Sequence, residues 1–123
     1  MTEKWEKFNC FDVKRLPKEV GGIYIYVKPF GVEPFEQIVY VGQTNDFYGR
    51  HHDEHLGDNE TNIKLKKFLT NRSDWSIYIL KLNSNQLNGV EKYIYDEYMP
   101  EFNRNSPPGE EIIEVDLPKD VMC

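Results

Sequence analysis

The chain has 123 residues, 39% of them hydrophobic and 14% aromatic, which fits one globular domain with a real core and leaves no room for two. No apolar stretch nears the roughly 18 residues that span a bilayer, and Met1-Thr2-Glu3-Lys4-Trp5 lacks the apolar centre of a signal peptide, so a cytoplasmic protein is expected. Cys10 and Cys123 are too few for a disulfide framework or a metal pattern and read as free thiols, and a formal charge of -6 argues against an obvious nucleic-acid binder.

Residues 1–20 set Trp5, Phe8, Phe11, Val13 and Leu16 among charges at no clean period, and Pro17 ends the segment; it reads as an arm packed on a sheet. Gly22-Ile23-Tyr24-Ile25-Tyr26-Val27 is apolar on both faces, the pattern of a central strand. Gln37-Ile38-Val39-Tyr40-Val41 is a second strand. The turn-rich insert from Pro29-Phe30-Gly31 to Pro34 predicts antiparallel pairing, with Tyr24 and Tyr40 on neighbouring strands. Asn45 or Asp46 then caps a helix over 46–56 that presents Arg50 beside the tyrosines, and Gly57-Asp58-Asn59 stops it.

A second helix follows Thr61 or Asn62, with Ile63, Phe68 and Leu69 at helical spacing beside a lysine face. That stretch carries Lys64, Lys66, Lys67 and Arg72 without an acid, so local charge there is positive despite the total. Residues 75–82 form a third strand, and a last helix over about 86–98 is stopped by Pro100. On that helix Leu87, Val90, Ile94 and Tyr98 share one stripe, and Glu91 falls inside it. Beyond Pro107 the chain is acidic, with Ile113, Val115 and Leu117 at strand period; only these last fifteen or so residues have the composition of a disordered segment.

Taken singly, the polar residues have plain readings. Tyr24, Tyr26 and Tyr40 pack in strands with satisfied hydroxyls, and Arg50 pairs with Asp46 or Glu54 one turn away. Together they suggest phosphodiester cleavage, which needs a group to position or deprotonate water, a cation at the phosphoryl oxygens and a stabiliser of the leaving oxygen. His51 and His55 share a helix face, yet with no further histidine to join that face and no suitably spaced cysteine a zinc site lacks a ligand unless an acid supplies it. A carboxylate on the stripe of Glu91 is costly unless paired, protonated or bound to a cation; Lys92 or a neighbouring strand is the plain partner.

Gly22-Ile23-Tyr24, Tyr40-Val41-Gly42, Arg50, Glu91 and Pro100-Glu101-Phe102-Asn103 stand in an order that resembles the GIY-YIG nuclease family over nearly the whole core. The resemblance implies an α/β fold, a small three-stranded antiparallel sheet flanked by helices. The chain then divides into an arm (1–20), a core (20–104) and an acidic extension (105–123) of one nuclease domain. It also implies an endonuclease that hydrolyses DNA with water as nucleophile and a single divalent ion, Mg²⁺ or Mn²⁺, held by Glu91. Tyr24 would orient or deprotonate the water, Arg50 would stabilise the transferring phosphate, Tyr40 would assist there, and Asn103 would orient the site. Lys64 and Lys67 would bind the substrate.

Two positions depart from the family pattern. Many members carry a histidine one helical turn after the arginine, where Glu54 stands here; of His51, His52 and His55, the last is favoured, brought round by a wound or broken helix end. The acidic total departs from strong autonomous DNA binding, and the length leaves no room for an added binding domain, so a protein partner or self-association is expected to supply further DNA contacts. The rival reading is a non-catalytic nucleic-acid- or protein-binding module that kept the fold.

Overall fold

Strand β2, Gly22–Pro29, is the axis of the molecule, because its side chains alternate between two apolar layers and both faces must be covered. The computed structural model describes residues 4–57 and 60–122. β2 pairs antiparallel with β3, Glu36–Thr44, on one side and with β4, Ser76–Lys81, on the other. Tyr24 and Tyr26 enter the layer of Phe47, Leu65, Phe68, Leu69 and Trp75. Ile23, Ile25 and Val27 enter the opposite layer, with Ile38, Val41, Val90 and Ile94. Burying each such side chain stabilises the fold by roughly 1.5–3 kcal/mol relative to leaving it in water.

The register of the β2–β3 pair jumps after Tyr26, which faces Tyr40, to Val27, which faces Ile38. Val39 is therefore a bulge residue. In consequence Val39 and Tyr40, neighbours in sequence, both pack against the Tyr24 layer, which strict alternation along a strand would forbid. Two glycines are required by close approach. A Cβ at Gly42 would collide with the hydroxyl of Tyr24 on the facing strand, and one at Gly22 would collide with the Leu80 carbonyl.

Among the described residues the sheet has five strands rather than the expected three, β1 (Glu6–Asn9) and β5 (Val121–Met122) lying at its edges in the order β1-β4-β2-β3-β5. The arm contributes β1, antiparallel to β4, and the extension contributes β5, parallel to the start of β3. Sequence alternation does not announce β1, because this edge strand exposes Glu6, Lys7 and Asn9 and half-buries only Phe8. Ile113, Val115 and Leu117 form no strand. Their alternation is real, but it serves packing against α3, Leu87–Tyr98: the Ile113 N–H donates to the Gly89 carbonyl at 3.0 Å and Val115 is buried with Val90 and Ile94. The extension is thus folded onto the core instead of following its disorder-type composition.

Helix α1 begins as an α-turn, Phe47–Gly49, and continues as a wider π-type turn, Arg50–His55. Asp46 caps it, Oδ1 accepting from the Gly49 N–H at 3.1 Å. Helix α2, Ile63–Asn71, is capped by Asn62, whose Oδ1 accepts from the Leu65 N–H at 3.2 Å. Its buried face is Leu65, Phe68 and Leu69; Ile63, read from the sequence as part of that face, is exposed because it sits in the first turn, on the far side. No helix among the described residues is long and apolar enough to cross a membrane. Cys10 is a free thiol that donates to the Ser73 carbonyl at 3.0 Å; Cys123 and the Asp58-Asn59 part of the expected helix stop lie outside the described residues.

Candidate active site

The π-type turn decides which histidine meets the tyrosines. In it the Leu56 N–H donates to the carbonyl of His51, five residues back, at 3.1 Å. One extra residue in the turn brings His55, five after Arg50, to the place that the fourth residue has in an α-helix. His55 is 1% exposed, and its Nε2 lies 2.6 Å from the Tyr24 hydroxyl. His51 instead meets the Tyr26 hydroxyl at 2.6 Å, and His52 turns outward, donating to the Val13 carbonyl and stacking on Tyr48. Of the three candidates, only His55 reaches Tyr24 among the described residues. His51 and His55 face different phenols, so they do not converge as a ligand pair.

Of the two acids that the sequence offered it, Arg50 pairs with Glu54, and it also reaches a tyrosine. Its Nε donates to the Tyr24 hydroxyl at 3.1 Å, and its Nη1 pairs with Glu54 at 2.7 Å. Tyr40 stands beside them, its phenol influenced by the Arg50 charge and by Tyr24. The two phenols differ in access. Tyr40 lines a cavity of about 460 Å³, whereas Tyr24, which the family resemblance casts as orienting or deprotonating the water, is 1% exposed and packs behind it, ring centroids 6.1 Å apart. Burial raises the pKa of both phenols, with the Arg50 charge working against the rise.

Arg50, Asp53 and Glu54 from α1, Glu60 to Asn62 from the following loop, Glu91 from α3 and Asn103 to Asn105 complete the cavity. α1 and α3 pack on opposite faces of the sheet, so the cavity reaches both around the outer edge of β3. That edge is held by residues after Pro100. Phe102 N–H donates to the Val39 carbonyl at 2.8 Å, and the Asn103 side chain both accepts from Val41 N–H and donates to Val41 C=O, each at 2.9 Å. Asn103 therefore acts as one rung of a strand, and its amide is spent on the backbone. Lys64 and Lys67 are exposed on α2; Lys64 lines a shallow groove that shares Asn62, Asn103 and Arg104 with the cavity, and Lys67 lies outside it.

Glu91 is half-buried, and its Oε1 accepts from Gln43 Nε2 at 2.8 Å. Burial holds its carboxyl above the usual carboxylate range, partly offset by Gln43 and the Arg50 charge. The cavity lining sets Asp53, Glu54, Glu60 and Glu91 against Arg50 and Arg104. An excess of carboxylate beside a desolvated one repels a phosphate and attracts a cation. Among the described residues no three His, Cys, Asp or Glu side chains cluster as a ligand set. The donor set fits one divalent ion that takes Glu91 and keeps several waters, as Mg²⁺ does.

Two members of the site were not singled out from the sequence. Gln43 follows the Tyr40-Val41-Gly42 motif directly, and its strand position opposite Ile23 gave no hint of Glu91, which lies on a distant helix. Glu60 lies in the loop that read only as a helix stop; its Oε2 is 2.7 Å from His55 Nδ1, and its Oε1 accepts from the Asn62 N–H at 2.9 Å.

A family model for the GIY-YIG catalytic domain matches residues 20–105. Among solved structures, the chain is similar to two point mutants of the GIY-YIG N-terminal endonuclease domain of UvrC from Thermotoga maritima, each bound to its catalytic divalent cation. The TM-score is 0.52 for both, with 18% and 17% identity over 76% of this chain and 96% of theirs. At that identity the likeness speaks for the fold. Nothing among the curated proteins matches the chain. With tyrosines from both strand motifs, the helix arginine and the α3 glutamate gathered at one sheet edge, and with the family model matched across the core, this chain belongs to the GIY-YIG family of nuclease domains.

Proposed function

We propose that the protein is a divalent-metal-dependent endonuclease that hydrolyses DNA phosphodiester bonds in the cytoplasm, with arm, core and extension acting as one domain. One observation carries this reading: Tyr40, Arg50 and Glu91, far apart in sequence and on different elements, line the same cavity. Glu91 would hold a single Mg²⁺ or Mn²⁺, and the bound ion would supply polarisation of a phosphoryl oxygen. The Arg50 guanidinium, fixed by Tyr24 and Glu54, is placed to offset charge that develops on the phosphate in the transition state.

Tyr40 presents the phenol that an attacking water can reach, and Tyr24 backs it. As the water loses a proton to the Tyr40 oxygen, the Tyr40 proton passes to Tyr24 and the Tyr24 proton to His55 Nε2. No phenolate need then accumulate, which suits two phenols whose ionisation is opposed by burial. The hydroxide attacks phosphorus and the leaving sugar oxygen takes a proton from solvent in the cavity. Lys64 and Arg104, along the groove that continues the cavity, and Lys67 beyond it would hold the DNA backbone.

The test is nicking of supercoiled plasmid with Mg²⁺ or Mn²⁺, with and without chelator. Glu91→Gln keeps the shape of the side chain and removes the charge, so nicking should be abolished while the melting temperature holds or rises, since a desolvated carboxylate is gone. DNA binding without nicking under every metal condition overturns the reading in favour of a binding module.

A further inference from the structure

Glu60 lines the cavity and is tied into the chemistry through His55. A carboxylate can only accept hydrogen bonds, so at 2.7 Å from Glu60 Oε2 the Nδ1 of His55 must carry the ring proton. In the neutral ring Nε2 is then a bare acceptor, 2.6 Å from the Tyr24 hydroxyl. Tyr24 in turn must donate its one proton to His55, which frees its oxygen to accept from Arg50 Nε. Each donor and acceptor in this chain is used once in one direction.

We propose that Glu60 is a positioning residue for His55: its carboxylate fixes the imidazole in the tautomer whose Nε2 accepts the Tyr24 proton, completing a Glu60–His55–Tyr24 relay behind the Tyr40 wall of the cavity. The inference rests on the nuclease reading above and adds a residue to it. Glu60 is itself held, because its other oxygen accepts from the Asn62 N–H, and Asn62 caps α2 and donates to the Phe102 carbonyl at 2.8 Å. The loop thus anchors the carboxylate to two elements, α2 and the Phe102 turn.

The surroundings of His55 make the carboxylate necessary. The rings of Tyr24, Tyr26 and Tyr40 lie 5.3–5.7 Å from its centroid, and Arg50, His51 and Glu54 share its helix. Burial and the Arg50 charge together disfavour an imidazolium, whereas Glu60, and more weakly Glu54, favour it. When the relay delivers a proton to Nε2, the product is an imidazolium ion-paired with the Glu60 carboxylate. No other bond is made or broken there, and the proton returns to solvent through the same hydroxyls once the product leaves. A carboxylate that orients a histidine and steadies its charged form is the same physical device that operates in hydrolase triads.

The deciding measurement is the ¹⁵N spectrum of the His55 ring at neutral pH, in protein without metal or DNA. Wild type should show a protonated Nδ1 and a bare Nε2, and Glu60→Ala should release that preference. In plasmid nicking with Mg²⁺ or Mn²⁺, Glu60→Gln, which keeps an acceptor but loses the charge, should lower kcat by about 10–100-fold with KM for DNA unchanged. A wild-type ring protonated at Nε2, or kcat per folded molecule unchanged in both variants, overturns the proposal. If wild type itself nicks nothing, the nuclease reading fails, and the ring spectrum still decides whether Glu60 sets the tautomer.

Discussion

Arg50 carries two interactions that were alternatives in the sequence. Its bond to Glu54 lies at the surface, with side chains 31% and 56% exposed, and such a pair contributes at most about 1 kcal/mol. Its bond to Tyr24 points inward, to a phenol that no solvent reaches. Arg50→Ala should therefore lower the nicking rate about 100-fold or more while unfolding free energy changes by about 1 kcal/mol, read from plasmid nicking and urea melts. A mutant that cuts normally would return Arg50 to the surface-pair reading. The buried neighbour His51 is a different case: its Nδ1 meets Tyr26, and its Nε2 has no partner among the described residues, which makes the ring intolerant of any second proton.

The α1 turn is the element on which the site depends. On a regular helix, at about 100° per residue, Glu54 would lie over Arg50 while His55 would turn away, and the π-type winding brings this fifth residue after Arg50 back over it. Deleting the exposed Asp53 would put His55 four residues after Arg50 and allow an ordinary α-turn. That variant should fold with an equal or higher melting temperature and nick within roughly tenfold of wild type. Loss of more than a hundredfold in a folded variant would mean that the wide turn, and not merely the histidine it delivers, is needed. The edge of β3 is the second such element, where Asn103 and Phe102 occupy backbone groups that an open edge would leave exposed.

At the scale of the whole molecule, two buried histidines make stability depend on pH. Burial, reinforced by neighbouring positive charge, pushes His51 down to about 3 and His55 to about 4, against an ordinary 6.5. Between those values the unfolded chain binds protons that the folded chain does not, so stability is full above 6.5 and is lost as pH falls from there toward 4. Glu91, raised by burial, works in the opposite sense, but it is only half-buried and single. Urea melts at pH 7 and pH 4.5 should differ by a few kcal/mol, at about 1.4 kcal/mol per pH unit for each fully buried group, with the slope unchanged. Equal midpoints would show that the rings are not held neutral. The folded-down extension matters here too: truncation after Pro107 would expose the layer of Val90 and Ile94 that Val115 and Val121 cover, so acidity and packing are not separable by cutting the chain.

The three central strands, the three helices and the order of Tyr24, Tyr40, Arg50 and Glu91 follow from local pattern, because each rests on period, caps or motif glycines that a short window contains. The glycines in particular state their reason only in pairs: Gly42 is small because Tyr24 lies across from it. What a window does not contain was decided by tertiary structure. Edge strands β1 and β5, four and two residues long, are too short to show a period of their own and exist because β4 and β3 offer open hydrogen bonds. The bulge at Val39 and the extra residue in the α1 turn are one-residue changes of phase: the first sets Val39 beside Tyr40 on the Tyr24 face, and the second decides which histidine meets Tyr24. Gln43 and Glu60 carry no sequence signal at all, because their partners Glu91 and His55 are fixed by strand register and loop closure, which only the folded chain supplies.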